Sequence, residues 1–422
     1  MDKGVLDALL TAMLKAGGRV SDLLFITGKA ALLEVDGRLT PFEIVDYTPI
    51  TSQFIEDISA QVIGGDERLL ADFAATGSCD CSYVVEGVAR FRVNVYKEKN
   101  RPAIVMRKLQ VNAPSLDSLH LRPVFKEIVK EKTGIVFVTG GTGSGKTTTL
   151  AALVNEVNQA QPIHIVTLED PIEFIHGHAL AAISQRELGR DFFSFAQGLR
   201  SALRQAPKVI LLGEIRDRET MEIALTAAET GHLVFTTLHT INAGQTINRI
   251  LGFFSKDEEQ QLRYRLSEIV RYVVSQRLIP KIDGSRLLIS EVLGSNLRSR
   301  ESIRYGESEG KTFQEIIDAA TLYGWHSFDH CLLNALEENQ ITDETALQYC
   351  NDKARMNREV DLLKRRIGRT DAGPSLELKL NPIKVKPPQP TPPTSSSSEG
   401  DTIQPGAQAS ARRVIQPRPQ AT

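Results

Sequence analysis

The sequence contains few cysteines and no long apolar run. Its four cysteines among 422 residues are Cys79, Cys81, Cys331 and Cys350. They lack the paired C-x2-C spacing of a zinc site, so we expect reduced thiols. No apolar run approaches the roughly 20 residues that a transmembrane helix requires. The N-terminus has no basic segment followed by an apolar core, and we expect no secretory signal. These features predict a cytoplasmic protein.

The chain also lacks an excess of charge of either sign. Its 50 Lys and Arg residues are balanced by 52 Asp and Glu residues, and no stripe of basic and aromatic residues is present. Binding to nucleic acid requires a clustered positive surface. We therefore expect no nucleic-acid partner, and a DNA-translocating motor is the least favoured of the functions considered.

What the sequence does contain is a glycine-rich loop between a β-branched run at residues 135–139 and a helical pattern that starts near Thr148. The spacing is G-x4-G-K-[ST], the pattern of a phosphate-binding loop. Glycines let backbone N–H groups approach a phosphate, and the helix N-terminus attracts the same anion. Lys146 would contact the β- and γ-phosphates, and the Thr147 hydroxyl would bind Mg²⁺. The residues expected to bind ATP are Gly140, Gly141, Thr142, Gly143, Ser144, Gly145, Lys146, Thr147 and Thr148.

Carboxylates follow two further apolar runs. The run 209–212 leads to Glu214, which is the usual form of a Walker B element, and the run 163–168 leads to an acidic cluster that contains Glu173. In an open α/β sheet, ligands bind at the carboxyl ends of the strands. We therefore expect these carboxylates near the phosphate loop. The candidate Mg²⁺ ligands are Thr147, Glu214, Glu169 and Asp170.

The apolar pattern divides the chain into five predicted parts. Residues 1–112 combine short β-like runs with amphipathic helices near 5–17 and 51–63, which predicts a smaller α+β domain. A linker is expected at 113–122. Residues 123–290 alternate strands, at 135–139, 163–168, 209–212 and 233–237, with helices, which predicts an α/β domain with a parallel sheet. A helix is expected over 256–276, a helical region over 291–369, and a disordered Pro/Ser-rich tail over 370–422.

Four motifs occur in one order along the chain. They are the loop 140–147, the Asp-box-like segment 167–176 with the sequence TLEDPIEFIH, the segment 212–217 with the sequence LGEIRD, and the His-box-like segment 226–240 with the sequence TAAETGHLVFTTLHT. In these motifs the chain resembles the hexameric ATPases of type II secretion and type IV pili, and most of all their pilus-retraction, PilT-like branch. The resemblance runs from about residue 21 to residue 347 and includes residues 87–95 of the N-terminal domain.

The resemblance implies a PAS-like N-terminal domain and a RecA-like P-loop ATPase domain, assembled as a ring of six. It implies that Glu173 deprotonates the attacking water and that Glu214 holds Mg²⁺ through water. Two histidines would sense the nucleotide, and two arginines of the N-terminal domain resemble those that close over the γ-phosphate. The catalytic candidates are Glu173, Glu214, Lys146, His239, His232, Arg92 and Arg107.

The function implied by the resemblance is ATP hydrolysis in a homo-hexamer that powers type IV pilus retraction and twitching motility. The motor would disassemble pilin through an inner-membrane platform protein, so it would be cytoplasmic and peripherally associated with the inner membrane. A paralogous pilus ATPase is a further candidate partner.

Two alternatives remain open. Type II secretion and pilus-assembly ATPases usually carry a longer N-terminal region and a paired-cysteine zinc module, features that we do not expect in this protein. An accessory nucleotide-binding ring subunit is the other alternative. It is favoured by residues 293–298, which lack the Ala-Ile-Arg-Asn-Leu-Ile element typical of retraction motors, whereas the retained Glu173 and Glu214 argue against it. A further departure is Lys208, which lies where the family usually has acidic residues and bears on the contacts between subunits.

We expect Lys146→Ala to abolish ATP hydrolysis, because no other residue of the loop supplies a cation to the β- and γ-phosphates. Steady-state phosphate release by the purified full-length protein is the measurement, with the oligomeric mass determined on the same samples. Equal turnover by a Lys146→Ala variant of wild-type mass would contradict this assignment.

Overall fold

A six-stranded antiparallel sheet, the N-terminal sheet, organises the first part of the chain. In the computed structural model, which describes residues 1–18, 20–109 and 112–367, its strand order is β3-β2-β1-β6-β5-β4. The strands are β1 (Val20–Ile26), β2 (Ala31–Val35), β3 (Arg38–Phe42), β4 (Ser78–Val85), β5 (Ala89–Glu98) and β6 (Arg101–Leu109). Along β5 the apolar residues Phe91, Val93 and Val95 are buried, while Arg92 faces the opposite side. One face of the sheet therefore forms a core, and the other carries polar groups.

Three helices cover the apolar face of this sheet. They are α1 (Lys3–Ala16), α2 (Ser52–Ile63) and α3 (Glu67–Thr76). Each begins at a residue whose side chain accepts a hydrogen bond from a free backbone N–H of the first turn: Asp2, Thr51 and Asp66. Leu6 and Leu10 of α1 and Ile58 of α2 belong to the same buried cluster as Phe91. The helices predicted near 5–17 and 51–63 are thus present.

A seven-stranded sheet, the central sheet, organises the second part, with the order β13-β12-β7-β11-β10-β8-β9. All neighbouring strands are parallel except β13, which pairs antiparallel with β12. The strands are β7 (Gly134–Gly140), β8 (His164–Glu169), β9 (Ala182–Glu187), β10 (Val209–Leu212), β11 (Leu233–Leu238), β12 (Val270–Pro280) and β13 (Arg286–Gly294). Every residue of β7, β10 and β11 is buried, as expected for parallel strands covered on both faces.

Helices alternate with these strands and continue beyond them. They are α4 (Val124–Ile128), α5 (Lys146–Ala160), α6 (Phe195–Ala202), α7 (Arg218–Glu229), α8 (Ala243–Leu251), α9 (Glu259–Ile269), α10 (Leu297–Tyr305), α11 (Phe313–Ala319), α12 (Phe328–Glu337), α13 (Asp343–Tyr349) and α14 (Lys353–Ile367). The last three pack around Phe328 and Leu332 in a separate small core that also includes Ile279 of β12 and Ile289 of β13.

None of the helices in the described ranges has both the length and the apolar composition that crossing a bilayer requires. The four cysteines are free thiols.

The predicted fold class, an α/β domain preceded by a smaller α+β domain, is confirmed. The four strands predicted for the second part are present, each within one residue at either end. The helix predicted over 256–276 is wrong beyond Ile269, because strand β12 begins at Val270 and pairs with β7. Val273 and Val274 are β-branched and fully buried in that pairing, so the sheet overrides the helical pattern that precedes it. Strands β9 and β13 were not predicted, and β13 occupies the start of the region expected to be helical.

The predicted domain boundaries stay predictions, but the expected linker has a structural role. Leu116 is 1% exposed and belongs to the core of the central sheet. The amide of Asn155 in α5 donates a hydrogen bond to the carbonyl of Pro114 at 3.2 Å. The segment is therefore anchored to the α/β domain. The predicted tail, 370–422, lies outside the described residues.

We expect Leu116→Ala to lower the free energy of unfolding by about 2–5 kcal/mol, because it removes a buried side chain and leaves a cavity. Leu322→Ala is the matched control: Leu322 is 99% exposed, so the same substitution should change stability by less than about 0.5 kcal/mol. Chemical denaturation of both variants measures the difference. Equal stabilities would show that residue 116 is not anchored.

Candidate functional site

The phosphate loop follows β7 and turns directly into α5. At Gly140 the backbone φ is +146°, and a Cβ there would lie 2.5 Å from both the carbonyl oxygen of Gln276 and the Oγ of Ser144. Gly143 and Gly145 adopt left-handed φ values of +76° and +89°. The glycines at these positions are therefore required by the path of the backbone.

The side chains of Lys146 and Ser144 provide polar groups inside the phosphate loop. The Nζ of Lys146 donates hydrogen bonds to the carbonyls of Gly140 and Gly141, at 3.0 and 2.9 Å. Burial lowers the pKa of Lys146, and the nearby carboxylates of Glu214 and Glu173 oppose that shift. The Ser144 hydroxyl is buried without a hydrogen-bond partner in the described structure. A buried cation and an unpaired hydroxyl at a helix N-terminus match a bound phosphate.

Glu214 follows the carboxyl end of β10, beside the phosphate loop. Its carboxylate forms an ion pair with Arg216, and its second oxygen lies 3.6 Å from the Nε2 of His239, which follows β11. Thr237 donates a hydrogen bond from its hydroxyl to the carbonyl of Gly213 at 2.7 Å, which ties these two strand ends together. The parallel register of β10 and β11 thus places a carboxylate and an imidazole at one edge of the sheet.

Glu173 lines the same cleft as Thr147, so the acidic loop after β8 reaches the phosphate loop. Burial raises the pKa of Glu173, while the positive charges of Arg92, Arg107 and Lys146 oppose that shift. A half-buried carboxylate with a raised pKa is suited to accept a proton from a water molecule near neutral pH.

Glu169 is the last residue of β8, and Asp170 follows it. Glu169 is 7% exposed, and one of its oxygens accepts hydrogen bonds from the Thr167 hydroxyl at 2.6 Å and the Gln185 amide at 3.1 Å. Burial raises the pKa of Glu169 to about 7. Burial also raises the pKa of Asp170, against the charges of Arg216 and Arg92.

Most of the predicted site residues surround one cleft, the central cleft, with a cavity volume of about 370 Å³. Its walls come from the phosphate loop, the carboxyl ends of β8, β10 and β11, and strand β5 of the N-terminal sheet. The predicted residues that line it are Thr142, Gly143, Lys146, Thr147, Glu169, Asp170, Glu173, Glu214, His239 and Arg92. Thr148, in the first turn of α5, is half-buried and lies outside this lining.

The two arginines occupy neighbouring positions of the N-terminal sheet. Arg92 of β5 lies directly opposite Arg107 of β6, and Asp22 of β1 lies opposite Arg107 in turn. The Nε of Arg107 donates a hydrogen bond to Asp22 at 2.9 Å, while Arg92 is exposed at the central cleft. Like charges in directly opposite positions repel each other. An anion in the central cleft would relieve that repulsion.

His232 is placed apart from the other predicted residues. It precedes β11, at the amino end of the strand, whereas His239 follows the carboxyl end. Its Nδ1 lies 3.0 Å from the carbonyl oxygen of Ala227. Within one chain the structure therefore does not bring His232 to the central cleft, and its sensing role stays a prediction.

Two residues of the site were missed by the sequence analysis. Gln185 holds Glu169, and Arg216 pairs with Glu214. Residues 182–187 read Ala-Ile-Ser-Gln-Arg-Glu, two apolar residues followed by four polar ones, so no alternation in the sequence marked this strand or pointed to Gln185. Arg216 belongs to the segment 212–217, but no role was assigned to it.

Few protein side chains at this site could coordinate a metal ion. Within the described ranges, no group of three or more His, Cys, Asp or Glu side chains is arranged to hold a metal ion. Thr147 and Glu214 both line the central cleft. A Mg²⁺ ion there would therefore complete its coordination with phosphate oxygens and water.

The chain is similar to one family model, to named relatives and to a crystal structure. The model of the family described as Type II/IV secretion system protein matches residues 82–317. The chain is 36% identical over 346 residues to the type IV pilus ATPase PilU of Pseudomonas aeruginosa, covering 82% of this chain and 88% of that protein. It is 38% identical over 326 residues to the type IV pilus retraction ATPase PilT of the same organism, covering 77% and 93%. The crystal structure of the pilus retraction motor PilT with bound ADP superposes with a TM-score of 0.75 at 35% identity, covering 84% of this chain and 99% of that one.

We expect Glu169→Gln to change the pH dependence of stability. Folding raises the pKa of Glu169 from 4.5 to about 7, so the neutral carboxyl stabilises the fold below pH 4.5, and that contribution is lost as the pH rises through 7. Glutamine stays neutral. The free energy of unfolding of the variant, minus that of the wild type, should therefore rise by about 2 kcal/mol between about pH 5 and pH 8.

Urea denaturation of nucleotide-free protein at both pH values measures this difference. Glu127→Gln, on an exposed side chain, controls for the substitution itself. A difference that stays constant across this pH range would contradict the raised pKa of Glu169.

Proposed function

The chain belongs to the Type II/IV secretion system protein family, and from that membership and the site we propose that it hydrolyses ATP to power retraction of a type IV pilus. It is a nucleotide-binding ATPase of that family. One observation supports the proposal most directly: Glu173 lines one cleft with Lys146 and Thr147 of the phosphate loop, and Arg92 enters that cleft from another sheet.

The nucleotide would be held by the phosphate loop. Lys146 would exchange the carbonyls of Gly140 and Gly141 for phosphate oxygens, and the backbone N–H groups of the loop would point at the same anion. Thr147 and Glu214 are the residues that would hold Mg²⁺, which supplies positive charge to the developing phosphate oxyanions when it is bound. Glu169 and Asp170 line the same cleft as further candidates.

Glu173 is the proposed general base. Its carboxylate would accept the proton of the attacking water beside the phosphate loop. Phosphoryl transfer depends mainly on a positioned water and on cations placed against the developing charge. Lys146 supplies one such cation from the α/β domain, and Arg92 supplies a second from the N-terminal sheet.

Hydrolysis would be coupled to domain arrangement because the second cation belongs to the N-terminal sheet. Because Arg92 and Arg107 belong to a different sheet from Glu173, hydrolysis would depend on how the N-terminal sheet meets the α/β domain. We infer a ring of six such chains that acts on an inner-membrane platform protein from the cytoplasmic side. His239 lies next to Glu214 and would report the state of the nucleotide to α8.

A second candidate function is an accessory subunit that binds nucleotide but hydrolyses it slowly. One observation favours it: the departure of residues 293–298 from the element typical of retraction motors. In the structure this segment spans the end of β13 and the start of α10, where Leu297 is 74% exposed. Such a surface could contact another ring component.

We expect Glu173→Gln to bind ATP but to hydrolyse it at least about 100-fold more slowly than the wild type, since glutamine cannot accept the proton of the attacking water. Steady-state phosphate release gives the rate, and equilibrium binding of ATP gives the affinity. In cells that lack the gene for this protein, the wild type should restore pilus retraction and this variant should not.

Glu127→Gln serves as the surface control and should retain wild-type turnover and retraction. Normal turnover by Glu173→Gln would remove Glu173 from the proposed role. A wild-type protein that binds ATP but turns over no faster than Lys146→Ala would support the accessory function instead.

A further inference from the structure

One strand fixes the backbone around Glu173. The loop that carries this residue, 170–176, runs beside β9. The side-chain amide of Gln185 in β9 donates to the carbonyl of Phe174 at 2.9 Å, and its oxygen accepts a hydrogen bond from the backbone N–H of His176 at 2.8 Å. The loop is therefore held on the C-terminal side of Glu173.

Glu187, two residues further along β9, holds the loop on the other side. Its carboxylate accepts a hydrogen bond from the backbone N–H of Ile172 at 3.3 Å. It also accepts one from the hydroxyl of Ser82 at 2.8 Å and forms an ion pair with Arg90. Ser82 and Arg90 belong to the N-terminal sheet, so this single carboxylate connects that sheet to the Glu173 loop.

This connection is buried. The side chains of Arg90 and Glu187 are 13% and 5% exposed. A buried charge that loses its partner is costly, whereas a paired and hydrogen-bonded charge is tolerated. Glu187 is therefore tolerated in this buried position because Arg90 and Ser82 reach it, and its contacts with them are specific to the docked state.

The strand that carries Arg90 also carries Arg92. The two residues are separated by one position on β5, so both point to the same face of the N-terminal sheet. Arg90 reaches Glu187, and Arg92 lines the central cleft. When Arg90 engages Glu187, the position of Arg92 relative to Glu173 is set as well.

The contact continues into the turn after β9. Arg190 donates a hydrogen bond to the hydroxyl of Ser82 at 3.0 Å. Gly189 has a φ of +83°, and a Cβ there would lie 2.7 Å from the guanidinium of Arg68. The N-terminal domain thus docks closely on β9 and its turn, with Glu187 at the end nearest the central cleft.

We propose that Glu187 is a positioning residue that makes hydrolysis depend on docking of the N-terminal sheet. Docking satisfies its carboxylate with Arg90 and Ser82, orients the backbone at Ile172, and brings Arg92 to the cleft in the same movement. Undocking removes both effects together. The inference rests on the proposed ATPase function and adds to it the residue through which the two domains communicate.

The test is a double-mutant cycle on single-turnover ATP hydrolysis with the full-length protein. Glu187→Gln keeps the shape of the side chain and removes its charge, and Arg92→Ala removes the arginine that Glu187 is proposed to position. Glu187→Gln alone should lower the rate roughly 10- to 100-fold, while the dissociation constant of ADP changes less than about twofold. In the Arg92→Ala background, the same substitution should lower the rate by less than about threefold, which is the part due to the backbone at Ile172.

The matched control is Glu258→Gln, which removes one carboxylate of an exposed ion pair with Arg218 and should leave the rate unchanged. If Glu187→Gln does not fold, Arg90→Gln breaks the same ion pair from the other side, and the same criterion applies to it. Rate losses that multiply in the double variant, or an unchanged rate in the single variant, would overturn the positioning role. A wild type without Lys146-dependent hydrolysis would overturn the proposed function itself, which is a separate outcome.

Discussion

The close approach of two strands at Gly140 is the constraint on which the site depends. At the end of β7 the backbone passes so near the Gln276 carbonyl of β12 that no side chain fits, and the same position faces Ser144. The phosphate loop therefore starts from a fixed point of the central sheet. The carboxyl ends of β8, β10 and β11 are in parallel register with β7 or with one another, and they bring Glu173, Glu214 and His239 to that point.

Opposed charges define the central cleft. Burial raises the pKa values of Glu169, Asp170 and Glu173, and lowers that of Lys146, while Arg92 acts on two of these carboxylates from the N-terminal sheet. Each group is thus less stable in its charged form than it would be in water, and its balance depends on neighbours from both domains. A polyanionic ligand that enters the cleft would redistribute these interactions, which makes the site sensitive to the arrangement of the domains.

The parts of this site that sequence alone could predict are those in which local chemistry fixes the structure. A glycine-rich loop between an apolar strand and a helix has few alternative folds, and carboxylates after apolar runs belong at the same edge. The missed elements depend on tertiary context. Strand β12 follows α9 without a break, and its pairing with β7 is decided by residues more than a hundred positions away. Gln185 and Glu187 lie on a partly polar edge strand whose partners come from a distant loop and another domain.

In the proposed mechanism, the anchored linker would also determine how the two domains meet again after an undocking event. Only six positions lie between Leu109, the last residue of β6, and Leu116, which is buried in the core of the central sheet. A chain of that length spans at most about 25 Å. The linker would thus keep Arg90 at a high effective concentration, on the order of millimolar, near Glu187 of the same chain. Redocking within one chain would therefore be a first-order event whose rate is independent of the protein concentration.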